Sequence, residues 1–264
     1  MSQQNPSERP SERPQIVLLG ASNLALSLPW ILTILERGFS DPLDILMSCG
    51  HGRSYGNRSR VLVRSLTGIR DCGLWEHLSS QPGQRQVLVT DIGNDIMYGV
   101  TPQSIADWVS DCIDRCQPAD GQLLITQLPL DSLERLSSWK FRLIKAVLFP
   151  RHQVSWPTVQ TRIQQLAQHL KEIATAAGGQ LITPKLEWYG IDPIHIRRSQ
   201  RTEAWDHIFS HWTTWTRPQN TRSPSVWKCL QSWRLRPQQR QILGRTQCAS
   251  QPVIDRRDQR LFMF

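Results

Sequence analysis

What this 264-residue chain lacks narrows its class early. No apolar run approaches the roughly 18 residues that a membrane span requires. The opening stretch, MSQQNPSERPSERPQ, has no apolar core and no small-residue cleavage site. Residues 1–14 therefore read as a polar, disordered leader, not as a signal peptide. The six cysteines, Cys49, Cys72, Cys112, Cys116, Cys229 and Cys248, include no Cys-x-x-Cys pair. Cys112 and Cys116 sit one helical turn apart without neighbouring histidines, which argues against a zinc site. Free thiols in a cytoplasmic protein are the simpler reading. There is no internal repeat. The segment GASNLA at 20–25 has neither the spaced glycines of a dinucleotide loop nor the Gly-Lys-Ser/Thr of a P-loop, so nucleotide binding there is poorly supported.

Acidic residues are scarce in one part of the chain. The net charge is +9, and residues 217–264 hold ten Lys or Arg against two Asp. Almost all of the excess thus lies in the tail, and attraction to any polyanion belongs there. A hydrophobic content of 39% is on the low side but ample for a core at this length.

What is present alternates strands with helices. QIVLLG (15–20), LDILMS (43–48), QVLVTDIG (86–93), QLLITQL (122–128) and QLIT (180–183) read as strands. Helical patterns occupy 24–37, 102–116, 132–148, 157–177 and 202–215. The fourth of these carries Val159, Ile163, Leu166, Leu170 and Ile173 at helical spacing. Such alternation predicts a parallel sheet covered on both faces, with its ligand site beyond the carboxyl ends of the strands. The boundaries so drawn are a leader at 1–14, a principal domain at 15–216 and a small basic extension at 217–264. Within the extension, SVWKCLQSW and PQQRQILG suggest short helical turns, and PVIDRRDQRLFMF suggests a hairpin turning near Arg257-Asp258.

Four polar landmarks follow predicted strands. Ser22 stands where the first strand turns into a helix, a place that suits an N-cap and equally a nucleophile, because helix N-termini favour developing negative charge. Gly52 lies in the glycine-rich loop CGHGRSYGNRS, where a backbone N–H is approachable without a Cβ in the way. Asn94, in Asp91-Ile92-Gly93-Asn94-Asp95, either closes an Asx turn or presents its amide outward. Asp192-Pro-Ile-His195 puts a carboxylate within one turn of an imidazole, which would fix the tautomer and leave Nε2 free to take a proton. Gly52-Arg53-Ser54-Tyr55-Gly56 also matches Gly-x-Ser-x-Gly, but the strand stops near Ser48 and only one βα unit precedes it. Ser54 is therefore a poorer nucleophile candidate than Ser22.

The set resembles the SGNH, or GDSL-type, hydrolase superfamily. Gly20-Ala21-Ser22 resembles its first block with alanine in place of aspartate, Gly52 its second, Ile92-Gly93-Asn94-Asp95 its third with isoleucine in place of the leading glycine, and Asp192/His195 its last. The resemblance covers about residues 15–216. It implies a flavodoxin-like three-layer αβα fold with a parallel five-stranded sheet of order 2-1-3-4-5. It also implies a serine esterase without metal or cofactor, acting on a small ester or O-acyl group. Ser22 would attack, His195 would act as base and then acid, and Asp192 would orient it. The oxyanion would rest on the N–H groups of Ser22 and Gly52 and on the Asn94 amide. An acyltransferase using the same triad is an alternative. His51 and Arg197 (or Arg198) flank the set as substrate-binding candidates, with a solvated or structural ion pair as the plainer role for the arginines. Trp188, Trp205, Trp212 and Trp215 line an acyl or sugar pocket or simply pack the core. A rival of another class is an inactive scaffold gripping nucleic acid or another polyanion through Trp227, Lys228, Trp233, Arg234, Arg236 and Arg240.

Overall fold

The computed structural model describes residues 13–80, 85–118, 122–135, 155–218 and 223–264. In chain order its elements begin with β1 (Gln15–Leu19), α1 (Ser22–Gly38), β2 (Leu43–Ser48), β3 (Ser59–Val61), β4 (Arg64–Leu66), α2 (Leu74–Ser79) and β5 (Arg85–Val89). Next come α3 (Asn94–Met97), α4 (Pro102–Cys116), β6 (Leu123–Thr126), α5 (Leu130–Glu134), α6 (Trp156–Ala176), β7 (Gln180–Ile182) and α7 (Arg201–Phe209). The last are α8 (Val226–Ser232), β8 (Gln239–Ile242), β9 (Arg245–Cys248), β10 (Ile254–Asp255) and β11 (Gln259–Met263). The predicted helix at 132–148 lies mostly outside the described residues.

The five expected strands pair in parallel in the expected order, β2-β1-β5-β6-β7. The sheet is nevertheless wider than expected. β11 adds in parallel to the outer edge of β2, and β10 pairs antiparallel to β11, giving seven strands. Residues of the basic extension thus supply a sheet edge. The Asp44 carboxylate, almost buried on β2, accepts a forked pair of hydrogen bonds from Arg260 directly opposite on β11. That pairing fixes the register of the added strand.

Alternation along β1 sorts the core into two layers. Ile16 and Leu18 point to the face covered by α1 and α7, while Val17 and Leu19 point to the face covered by α4 and α6. The helix ends follow their sequences. Thr101 and Ser155 accept hydrogen bonds from the amides of Ser104 and Thr158, with a proline in each first turn. α7 ends at Phe209, six residues before the predicted limit. There the chain turns so that Trp212 stacks on Phe209 at 5.0 Å and its indole N–H donates to Gln122 O at 3.1 Å.

One expected element changes type. PQQRQILG contributes a strand, β8, and not a helical turn. It pairs antiparallel with β9 on one side and β4 on the other, completing a second, four-stranded sheet of order β3-β4-β8-β9. The turn Leu243-Gly244, both at positive φ, closes the β8–β9 hairpin. The hairpin expected around Arg257-Asp258 is present as β10–β11.

Candidate active site

The serine turn is built from a close approach. A Cβ on Gly20 would lie 2.7 Å from Thr90 Cγ2, so no larger residue fits between β1 and β5 at this point. Ser22 opens α1 and is largely buried. Asp91, itself at φ +57, holds the turn from the neighbouring strand end. Its Oδ2 accepts from the amides of Ala21 (3.0 Å) and Asn23 (2.8 Å). The amides on both sides of Ser22 are thus engaged, while the Ser22 N–H lies in a helix first turn, where no intrahelical acceptor exists.

His195 Nε2 lies 2.9 Å from Ser22 Oγ, and its Nδ1 lies 2.6 Å from Asp192 Oδ2. Asp192 Oδ1 also accepts from the amides of Ile194 (3.1 Å) and His195 (3.2 Å), which makes the four-residue turn self-supporting. Partial burial pushes the Asp192 pKa up. The His195 ring and these two amides outweigh it, and the carboxyl ends below its ordinary value. Asn23 then ties the two halves of the site together. Its Nδ2 donates to Asp91 Oδ1 (2.7 Å) and to Ile194 O (2.9 Å), and its Oδ1 accepts from Ile196 N (2.8 Å). Both chain neighbours of His195 are held by the residue that follows Ser22.

The glycine-rich loop is fastened beside this turn. Gly50 N donates to Ala21 O at 3.4 Å, and Gly52, at φ +62, accepts from the Tyr98 hydroxyl at 2.5 Å. The Asn94 amide donates to Arg53 O at the long distance of 3.5 Å. Ser54 is fully buried and donates to Asp95 Oδ1, whose other oxygen accepts from Tyr55 N at 2.9 Å. Burial raises the Asp95 pKa to about 6, with the bonds from Ser54 and Tyr55 pulling against it. Ser54 therefore pins the Gly52 loop to the Asn94 turn, and it has no imidazole partner among the described residues. His51 is exposed at the loop tip. Partial burial lowers its pKa, and the nearby charge of Arg64 adds to that.

A cavity of about 130 Å³ opens beside Ser22. Ser22, Asp91 and Asn94 stand on its wall with Ile96, Leu128, Trp156, Trp188 and Trp205. The polar side chains Thr126 and Gln127 on that wall are spent on Thr90 and on Ala167 O and Leu128 N. What remains facing the space is mostly hydrocarbon and aromatic. Trp212 and Trp215 pack instead against Phe209 and Phe39. The Arg197 guanidinium donates to Glu187 O, and Arg198 lies 5.6 Å from the Trp30 ring. Neither arginine, nor His51, is among the cavity-lining residues. Asn23, Asp91, Asp95 and Tyr98 are the supporting residues that the sequence reading passed over. The one available signal was that Asp91 and Asp95 bracket Asn94.

No family model matches the chain, and no curated protein does. Solved structures give distant matches. The crystal structure of TesA is 13% identical over 75% of this chain and 98% of its own, with a TM-score of 0.46. The psychrotrophic esterase EstA from Pseudoalteromonas sp., inhibited by monoethylphosphonate, is 12% identical over 75% of this chain and 95% of its own, at 0.43. A serine-to-alanine mutant of the esterase AlinE4 is 12% identical over 65% and 76%, at 0.38.

Proposed function

We propose that this chain is an SGNH-type serine hydrolase that cleaves an ester of an apolar acyl group through an acyl-enzyme. The observation that carries the reading is the relay from Asp192 through His195 to Ser22, with contacts of 2.6 and 2.9 Å. Asp192 keeps Nδ1 protonated, so Nε2 accepts the Ser22 proton as Oγ attacks the acyl carbonyl. The carbonyl oxygen takes up the negative charge. Its donors are the Ser22 N–H, the Gly52 N–H and the Asn94 amide, which exchanges its long bond to Arg53 O for the oxyanion. His195 then protonates the departing alcohol, and water, activated by the same imidazole, releases the acid. The apolar cavity beside Ser22 supports an acyl chain as the group bound.

The test is intact-mass analysis after treatment with two fluorophosphonates, one carrying an alkyl chain and one a polyether. The expected result is one covalent adduct on wild type and on Ser54→Ala, none on Ser22→Ala, and faster reaction with the alkyl probe. An adduct that persists in Ser22→Ala rejects the nucleophile. Equal rates for the two probes reject the apolar acyl site.

A further inference from the structure

The second sheet joins two long stretches of the chain that lack an acidic residue. Residues 45–70 supply β3 and β4, residues 207–254 supply β8 and β9, and neither stretch contains Asp or Glu. The two hairpins end side by side. Leu243 N donates to Val63 O at 2.9 Å, which fuses their turns into one tip. At that tip Leu62 is 88% exposed, Leu243 72% and Val63 50%. Leu62 and Leu243 also lie at φ +54 and +50. Leucine is uncommon in that conformation, whereas Asn or Gly would adopt it readily and shed the apolar surface as well. Two leucines that cost backbone energy and stay largely exposed among the described residues point to a reason outside the chain.

Charge identifies the occupant. Val61, Arg64, Ile242 and Arg245 stand in one row across the four strands just behind the tip, with Arg60 in the next row. An aliphatic point backed by arginines, with no carboxylate on either contributing stretch, matches a bilayer whose anionic headgroups overlie hydrocarbon. A nucleic acid would use the arginines but would call for aromatic faces at the tip, which carries none. The surface also adjoins the site. A Cβ on Gly52 would lie 2.8 Å from Val61 Cγ2, so β3 rests against the loop beside Ser22.

We propose that the fused tips of the two hairpins, Leu62, Val63 and Leu243 with Arg60, Arg64 and Arg245 behind them, dock this protein on anionic lipid bilayers. The docking is a binding property and does not require Ser22 chemistry. The experiment is co-sedimentation of the full chain with vesicles of phosphatidylcholine alone, and of phosphatidylcholine and phosphatidylglycerol in equal parts. Wild type and Ser22→Ala are expected to bind the anionic vesicles, weakly or not at all the neutral ones, and less as salt rises. The double variant Leu62→Asn/Leu243→Asn should bind at least about tenfold more weakly. Its thermal midpoint should be equal or higher, because asparagine suits the left-handed backbone. Arg60→Gln and Arg245→Gln should each weaken binding about fivefold. Failure of wild type to bind anionic vesicles overturns the proposal. So does undiminished binding by the folded double-asparagine variant. Retention of heparin or single-stranded DNA in place of vesicles, indifferent to Leu62 and Leu243, would overturn it in favour of a polyanion surface.

Discussion

The Asn23 carboxamide makes three hydrogen bonds, and they reach two distant segments, one at Asp91 and one on either side of His195. Asn23→Ala would leave the buried Ile196 N–H without an acceptor and release the imidazole from its fixed distance to Ser22. We expect stability to fall by about 1–3 kcal/mol in urea titration. We also expect kcat on an activated ester to fall about 100-fold with KM little changed, because loose positioning acts on the reacting geometry. Asp95 has a different signature. Its folded-state pKa, raised to about 6, lies above the unfolded value near 3.9. The protonated form is therefore favoured by folding, and the stability it contributes is full below about pH 4 and lost as pH rises through about 6. Urea midpoints across this window should decline more steeply in wild type than in Asp95→Asn; parallel profiles would reject the assignment. The meeting of Ser22, Asp192 and His195 was legible because the proposed chemistry dictates residue type and local spacing. Asn23 was not, since an asparagine in a helix first turn looks ordinary until partners 68 and 171 residues away are known.

Elements were legible where local pattern and packing agree. α4 and α6 match their predicted spans closely, because Thr101 and Ser155 cap them and a single apolar stripe faces the core. Four of the five parallel strands, β1, β2, β5 and β6, are buried along their whole length and read as largely apolar runs, whereas β7 at the sheet edge is only partly buried. β8 departs from the helical expectation since Gln239–Ile242 shows no strict alternation, and its partner β4 lies far earlier in the sequence. β11 is legible as half of a hairpin but not as a strand of the parallel sheet beside β2, which depends on the Asp44–Arg260 pairing across more than two hundred residues. Its side chains now have measurable weight. Phe262 is buried in the core layer with Leu74 and Val87, so Phe262→Ala should cost about 3–5 kcal/mol in chemical denaturation. A loss under 1 kcal/mol would mean that β11 is only loosely held.

At the scale of the whole molecule, charge and topology act together. The basic stretches gather in one small sheet beside the Gly52 loop, while the parallel sheet turns its strand ends towards Ser22, so the two surfaces adjoin. Among the described residues no helix is long and apolar enough to cross a membrane. The placement of β11 also bears on the order in which the candidate site is assembled. Arg53, next to Gly52 and almost fully buried, donates to the carbonyl oxygen of Phe264, and Phe264 N donates to Met47 O at 3.0 Å. The loop that carries Gly52 is thus braced by residues translated well after His195. At roughly 5–20 residues per second, a ribosome that has passed His195 still needs several seconds to deliver this brace. During that interval the nascent chain holds Ser22, Asp192 and His195 while the loop of Gly52 lacks its contact with Phe264, so on the proposed reading the oxyanion site is the last part to be assembled.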